Sequence, residues 1–407
     1  MESRCSSSAT TVPRVSELEV SVLRGASQIG GNLIQVICGG TKILLDAGET
    51  LEGDAAIPPQ AAWLMEPGGC DAVFLTHTHR DHMGLAEQAH PDIPLYLGRR
   101  AWEILRTSND FMGRKTPNPA GFLEHGKPIR VGTLIVTPYL CDHSAFDSYM
   151  LLVEGNEQSL LYTGDFRGHG RKSFAALLRQ LPEQVDFLAC EGTNLSRQAQ
   201  EVWSEKELEE RAVVWMNRCQ GPAFVLQAAT NLDRLVTFYR AAKRSNRIFL
   251  EDLYQAEMAV AAGPSIPQPG QFHDVRVFLP SSVSVGSTRY QRFCGYKSAK
   301  ISRANIPVGS VICIRPSMQK WLEKLGQRLP LTDSVLFYSL WSGYREKPEM
   351  YEFLARCREM GIKEVTLHSS GHATPEEIRQ LLDRVHPKKI IAIHTLCPDW
   401  FEKEGNT

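Results

Sequence analysis

No apolar run in this 407-residue sequence approaches the length of about 20 residues that a membrane-spanning helix needs, so none is expected. Cys-x-x-Cys pairs are missing too. The ten cysteines are scattered along the chain, several of them inside apolar runs, and read as reduced core residues of a cytosolic protein. Charge of one sign is not in excess: a formal net charge of −1 rules out a broadly basic protein while leaving room for a local basic channel. Internal repeats are lacking, and low complexity is confined to the Ser/Thr-rich residues 1–17, read as a disordered tail. That tail has no apolar stretch of signal-peptide type, which again points to the cytoplasm and away from a membrane partner.

The composition, 43% hydrophobic and 22% charged, is that of a globular chain long enough for two domains or one elaborated domain. The first half is strand-rich. Leu18–Leu23, Asn32–Cys38 and Lys42–Leu45 alternate or run apolar between Gly-Gly pairs, as in an antiparallel meander. Further strands are expected at Ala72–Leu75, Thr133–Pro138, Ser148–Val153, Ser159–Tyr162 and Val185–Ala189, with short helices at Gly84–Gln88, Arg99–Arg106 and Ser173–Leu181. After Glu191 the texture changes. Ser204-Glu205-Lys206-Glu207 is a capping box opening an amphipathic helix to Arg218, and strand–helix alternation follows (strands at Ala223–Ala228, Arg247–Leu250 and Ser310–Ile314, helices at Leu232–Arg244 and Leu253–Ala262 among them), the mark of a small, mainly parallel α/β unit. Thr374-Pro375 and Glu377 open a well-capped helix, and Lys389–His394 reads as the last strand.

The densest chemistry is His77-Thr78-His79-Arg80-Asp81-His82, directly behind the apolar run from Ala72. Past a strand end the chain turns, so His77 and His79 can point one way while Asp81 and His82 point another. Imidazole suits zinc or manganese, and a carboxylate compensates charge. A histidine-rich surface loop is the plain alternative; three of only twelve histidines within six positions argue against it. Four other polar residues end apolar stretches: Asp46, His143, Asp165 and His394. Singly, each is as readily a capping Asp or a satisfied core histidine.

Together, in this order, these motifs resemble the metallo-β-lactamase superfamily and, within it, the β-CASP nucleases such as ribonuclease J. The resemblance runs from about Leu18 to the C-terminus, with His-x-His-x-Asp-His its most specific element. It implies an α/β fold: an αββα sandwich with an inserted β-CASP α/β domain, divided as 18–195 (first part of the core), 196–362 (insertion) and 363–407 (completing segment). It implies two divalent metal ions, zinc or else manganese. One would be held by His77, His79 and His143, the other by Asp81, His82 and His394, with Asp165 between them. Asp46 is the matching orienter of a ligand. Glu191 corresponds to the acidic residue that opens the insertion, and His372, in Ser369-Ser370-Gly371-His372, to the histidine near the scissile phosphate. More than two hundred residues separate Asp165 from His394, enough for the separate α/β unit that simple hydrolases of this superfamily lack. A histidine at the final ligand position resembles the RNA-acting branch.

The expected activity is therefore a two-metal hydrolysis of single-stranded RNA, exo- or endonucleolytic, with Asp81, Asp165, Glu191 and His372 in the catalytic machinery. Ser370 and Gly371, just before a helix start, are candidates for holding a phosphate, and His368 for joining them. Arg289, Arg292 and Trp341 lie in stretches that mix cations with rings, as a single strand requires, although ordinary packing explains such clusters equally well. His169, with four other histidines, belongs to no constellation. A small-molecule hydrolase of the same fold (lactone, thioester or phosphoester), a DNA nuclease and a non-catalytic RNA-binding module are the rival readings. Two departures stand out. Arg80 replaces a residue that is often acidic in ribonuclease J, and only 13 residues follow His394, leaving the oligomeric state open.

Overall fold

Alternation at period two builds the first half of the protein. A computed structural model describes residues 17–51, 55–197, 202–281 and 283–404; all of the expected tail except Glu17 lies outside them. Strands β1 (Glu19–Arg24), β2 (Leu33–Cys38) and β3 (Thr41–Leu45) form the expected antiparallel meander. The β2–β3 turn is Gly39-Gly40, both residues at positive φ as a tight two-residue hairpin requires. β4 (Ala72–Phe74), β5 (Leu95–Gly98) and β6 (Gly121–Leu123) extend this sheet in parallel to six strands, in sequence order.

A second six-stranded sheet has the order β18-β11-β10-β9-β8-β7. It contains β7 (Ile129–Val131), β8 (Leu134–Cys141), β9 (Ser148–Gly155), β10 (Gln158–Tyr162) and β11 (Val185–Glu191), with β18 (Pro387–Ile393) returning from the far end of the chain to pair in parallel with β11. The two sheets face each other. Ile34, Val36, Ile43, Leu45 and Phe74 from the first meet Val136, Leu151, Val153, Leu160 and Tyr162 from the second in one buried core. Residues of opposite parity point outward. Leu44 and Val73 pack toward Leu64, Met83 and Leu85, with the helix Arg99–Met112 over them. Met150, Leu161 and Leu188 pack under the helices Phe174–Leu178 and Pro375–Val385. Two facing sheets covered by helices on both outer sides form an αββα sandwich.

The third sheet is a separate six-stranded layer: β12 (Ala223–Leu226), β13 (Ile248–Asp252), β14 (Val275–Phe278), β15 (Ser310–Ile314), β16 (Val335–Tyr338) and β17 (Lys363–Thr366), in the order β14-β13-β15-β12-β16-β17 and parallel throughout. Such a sheet must be covered on both faces. The helices Glu205–Arg218, Leu232–Arg244 and Leu253–Ala262 cover one face, and Gln319–Gly326 and Pro348–Glu359 the other. Ser204 supplies the expected capping box.

Several elements differ from expectation. Gly84–Gln88 is a 3-10 turn, and the helix from Arg99 runs on to Met112, where Gly113 ends it in the left-handed conformation. β5, β6 and β7 have only three or four residues each, too few for alternation to be legible. The basic, aromatic stretch contains a helix, Thr288–Gly295, with no fully buried residue.

Candidate metal centre

Parallel pairing brings chemistry to one edge. β3 and β4 run parallel, as do β10, β11 and β18, and β8 points the same way as β10 because β9 lies antiparallel between them. Residues that follow these strands therefore project from a common rim: Asp46 after β3, His77 after β4, His143 after β8, Asp165 after β10 and His394 after β18. The His77–His82 loop is seated by backbone bonds. Gly31 and Asn32 N–H donate to the Asp81 carbonyl, and Ala47 N–H donates to that of His82 at 2.7 Å. Gly48 allows this close approach, since a Cβ there would stand 1.7 Å from the Asp81 carbonyl oxygen.

The ligand atoms of His77, His79 and His143 lie within 4.8 Å of one another, as do those of Asp81, His82 and His394, and those of His77, His82 and Asp165. Asp165 is central. Its Oδ2 is 3.2 Å from His82 Nε2, 3.9 Å from His77 Nε2 and 3.8 Å from His143 Nε2, and its Oδ1 is 3.7 Å from His394 Nδ1. His394 Nε2 approaches Asp81 at 3.2 Å, and His143 Nε2 stands 3.2 Å from His79 Nδ1. The seven residues that the sequence singled out are thus brought together.

The far side of each ring fixes its tautomer. His82 Nδ1–H donates to Asp46 Oδ2 at 2.7 Å, and His143 Nδ1–H donates to the Gly371 carbonyl at 2.6 Å. Thr193 donates its hydroxyl to Glu191 and accepts His394 Nδ1–H at 2.7 Å. In all three the Nε2 lone pair is left facing inward. The buried His77 Nε2, His82 Nε2 and Asp165 Oδ1 have no hydrogen-bond partner among the described residues. Buried lone pairs without partners are costly unless a cation takes them. The donor set of neutral imidazoles and carboxylates fits a divalent metal.

For His77 and His143 the electrostatics agree with neutral, ligating rings. Burial, aided by neighbouring imidazoles, pushes His77 well below the usual histidine value, and burial does the same to His143. Burial would lower His82 too, but Asp165 and Asp46 raise it well above. For Asp165, burial is outweighed by His394, His82 and His372, which keep the carboxyl well below its ordinary value. His372 Nδ1 lies 3.1 Å from Glu191 Oε2 and 3.5 Å from Asp165 Oδ2; those two carboxylates overcome burial and raise its pKa.

Glu191 is fully buried, and its oxygens also accept from Phe166 N, Thr193 N and the Thr193 hydroxyl. It is built to orient His372. Ser370 Oγ bonds Asn194 and the His372 amide. Gly371 is crowded: a Cβ would meet Ser144 Oγ at 2.5 Å. His368 stands apart from the metal-binding groups. Burial and the Arg234 charge push it down to about 3.

The remaining candidates lie elsewhere. Arg289 Nη2 donates to the Phe111 carbonyl and Arg292 Nη2 to Asp110, both guanidinium groups lying over the Phe111 ring, so they tie the insertion to the helix Arg99–Met112. Trp341 is half exposed, edge-on to Tyr344, in the turn after β16. Thr193, Asn194, Arg167, Glu205 and Arg234 were missed, because a polar residue that acts through a partner far along the chain has no local spacing signal.

A family profile described as "Beta-lactamase superfamily domain" matches residues 41–226. Ribonuclease J of Sinorhizobium meliloti is 23% identical over 93% of this chain and 69% of its own length. For Mycobacterium tuberculosis ribonuclease J the figures are 26%, 93% and 68%, and for that of Mycoplasma pneumoniae 22%, 91% and 66%. The chain thus spans about two thirds of the length of these relatives. A crystal structure of a protein of unknown function from Enterococcus faecalis V583 superposes with a TM-score of 0.76 at 21% identity, covering 94% of this chain and 95% of that one, which extends the likeness in fold across both halves. With its histidine-aspartate cluster on the rim of an αββα sandwich and a parallel α/β layer inserted before the last strand, the chain resembles the metallo-β-lactamase superfamily and, on its β-CASP branch, is similar to ribonuclease J.

Proposed function

We propose that this protein is a metal-dependent ribonuclease that hydrolyses single-stranded RNA at a site for two divalent cations, zinc or else manganese. The observation that carries the reading is the buried Asp165 carboxylate, flanked by two groups of ligands, His77/His79/His143 and Asp81/His82/His394. Ribonuclease J relatives matched over most of the chain supply the substrate class. Buried cysteine thiols such as Cys70, Cys141 and Cys190 support a cytoplasmic location, and no helix among the described residues is long and apolar enough to cross a membrane. Residues 18–195 and 363–407 would form the catalytic core, and 196–362 the clamp.

Divalent cations held by these histidines and aspartates would supply a water nucleophilic near neutral pH and offset charge on the phosphoryl oxygens. The chain's own groups do the rest. Asp46 holds His82 in the tautomer that presents Nε2, and Thr193 does so for His394. His372, kept charged by Glu191 and Asp165, is placed to give a proton to the leaving oxygen. Ser370 and Gly371 carry it at the mouth of the site, and Trp341 offers a ring to a base outside.

The test is end-labelled single-stranded RNA and DNA beside a small chromogenic ester, with the metal content of each preparation measured. RNA cleavage lost with chelator, lost in Asp81→Ala, and reduced about 10²–10⁴-fold in His372→Ala with metal retained is the expected result. Turnover of the ester or of DNA alone would overturn the RNA reading.

A further inference from the structure

His169, which sequence analysis leaves without a role, sits where the active-site segment is held. Its side chain is 10% exposed. Ring Nδ1 lies 3.0 Å from Glu377 Oε1 and 3.3 Å from Oε2, while Nε2 lies 3.0 Å from the Ser370 carbonyl oxygen. A carboxylate and an amide carbonyl only accept hydrogen bonds. A neutral imidazole has a single N–H, so one of these contacts would set lone pair against lone pair. Only the doubly protonated ring donates to both.

Ser370 matters because two groups of the site come directly after it in the chain. The Gly371 carbonyl takes His143 Nδ1–H, and the next side chain is His372. Among the described residues the Ser370 carbonyl has one other donor, Arg167 Nη1 at 3.4 Å, and Arg167 is largely committed to Asp142 at 2.6 Å and Glu205 at 3.2 Å. Glu377 is fixed from its far side: its Oε2 accepts Thr374 N–H at 2.8 Å in the capping box of the helix Pro375–Val385. Burial would raise the Glu377 carboxyl, but the His169 hydrogen bond and charge hold it below its ordinary value. Gly168 makes room for that carboxylate, which a Cβ would meet at 2.7 Å. The His169 carbonyl accepts Glu205 N–H, the first residue of an insertion helix. The charged groups around the ring are therefore Glu377 from one helix, Glu205 from another, and Arg167 with Asp142 from the core loops.

We propose that His169 is a positioning residue: its doubly protonated ring clips the Ser370 carbonyl to Glu377, sets His372, and makes turnover depend on the charge of this imidazole. Loss of the proton removes one donor and leaves the Ser370 carbonyl to Arg167 alone. The claim about turnover rests on the hydrolytic reading of the site; the claim about the ring does not.

Two measurements decide it. Histidine-selective ¹⁵N NMR of the full chain, with the His169 signals identified by their loss in His169→Gln, should show both ring nitrogens protonated at about pH 6 and a titration that moves to lower pH in Glu377→Gln. A single protonated nitrogen at that pH, or a titration indifferent to Glu377, overturns the clip. In parallel, kcat for bis(p-nitrophenyl) phosphate is compared between the metal-loaded parent and His169→Gln, with folding of the variant checked by its thermal midpoint. The parent should be faster by about tenfold at low pH, the cost of one charged hydrogen bond, with the ratio shrinking toward unity at high pH and KM within about twofold. A ratio constant across pH marks a merely structural residue and overturns the role. If the parent turns over no phosphodiester at all, the hydrolytic reading fails and the NMR result still decides the clip.

Discussion

At the scale of single residues, the most constrained side chain is one that touches no substrate. Asp46 is fully buried at positive φ, and its two oxygens receive Thr76 N–H, the Thr76 hydroxyl, the Tyr162 hydroxyl and His82 Nδ1–H. Every partner donates, so the position needs an ionised carboxylate; an amide would turn an N–H₂ group into them. In Asp46→Asn the His82 ring loses its fixed orientation, and metal affinity should fall about 10–100-fold, the usual cost of losing such a partner. Competition with a chromophoric chelator measures this. Unchanged affinity would mean that His82 is oriented by packing against His77 and His394 instead. Asp46 was readable in the sequence because it ends an apolar strand. Tyr162, whose hydroxyl completes the same carboxylate, was not, since in the sequence it is only the last aromatic of a core strand.

Among the secondary-structure elements, long and periodic segments were legible and short or tertiary-dependent ones were not. The helices Leu232–Arg244 and Leu253–Ala262 and the strand Ser310–Ile314 begin and end where pattern places them, because caps and periodicity act within a few residues. Leu95–Gly98 escaped notice; four residues do not reveal a period. Pattern places a strand at Arg247–Leu250 but gives no sign that β13, which runs on to Asp252, buries an acid. Glu251 is fully buried, with neither oxygen partnered among the described residues, and burial, reinforced by Asp252, holds its carboxyl well above the ordinary value. An unfolded Glu loses its proton near pH 4.3, whereas the folded one keeps it, so the folded state binds more protons. Stability is then full below that pH and declines as pH rises toward the folded value. The unfolding free energy of the parent, measured by denaturant titration, should fall from about pH 5 to pH 8, by up to about 1.4 kcal/mol per pH unit, relative to a flatter Glu251→Gln. Parallel curves for the two proteins would show that Glu251 is ionised in the fold.

Taken as a whole, the molecule is a sandwich and an inserted layer joined through buried charge rather than through an apolar interface alone. Arg167 and Arg234 are both fully buried and share Glu205, and Arg234 also donates to the Leu367 and Ser369 carbonyls at the root of the His372 segment. Desolvating such a network is expensive, but losing one member costs about 3–5 kcal/mol, which favours a fixed relation between clamp and core. That relation separates the two cation-and-ring stretches in the sequence. Arg289 and Arg292 are engaged with Phe111 and Asp110 across the joint, so their charge serves assembly first. Trp341 is half exposed, steadied by the Tyr338 hydroxyl on its carbonyl and by Tyr344 edge-on, at the end of β16. β16 is paired in register with β17, which runs directly into the Leu367–His372 segment, so Trp341 stands on the same edge as the entrance to the site. A ring held in this way offers a stacking face to a base without first having to be ordered. Trp341→Ala should weaken binding of single-stranded RNA by about 1–3 kcal/mol, the range for one base stacked on one ring, while leaving kcat for a small phosphodiester unchanged. Fluorescence anisotropy with labelled oligonucleotides measures the first quantity and chromogenic turnover the second. Equal losses in both would place Trp341 in the framework of the site, and no loss in either would leave the strand to follow another path across the insertion.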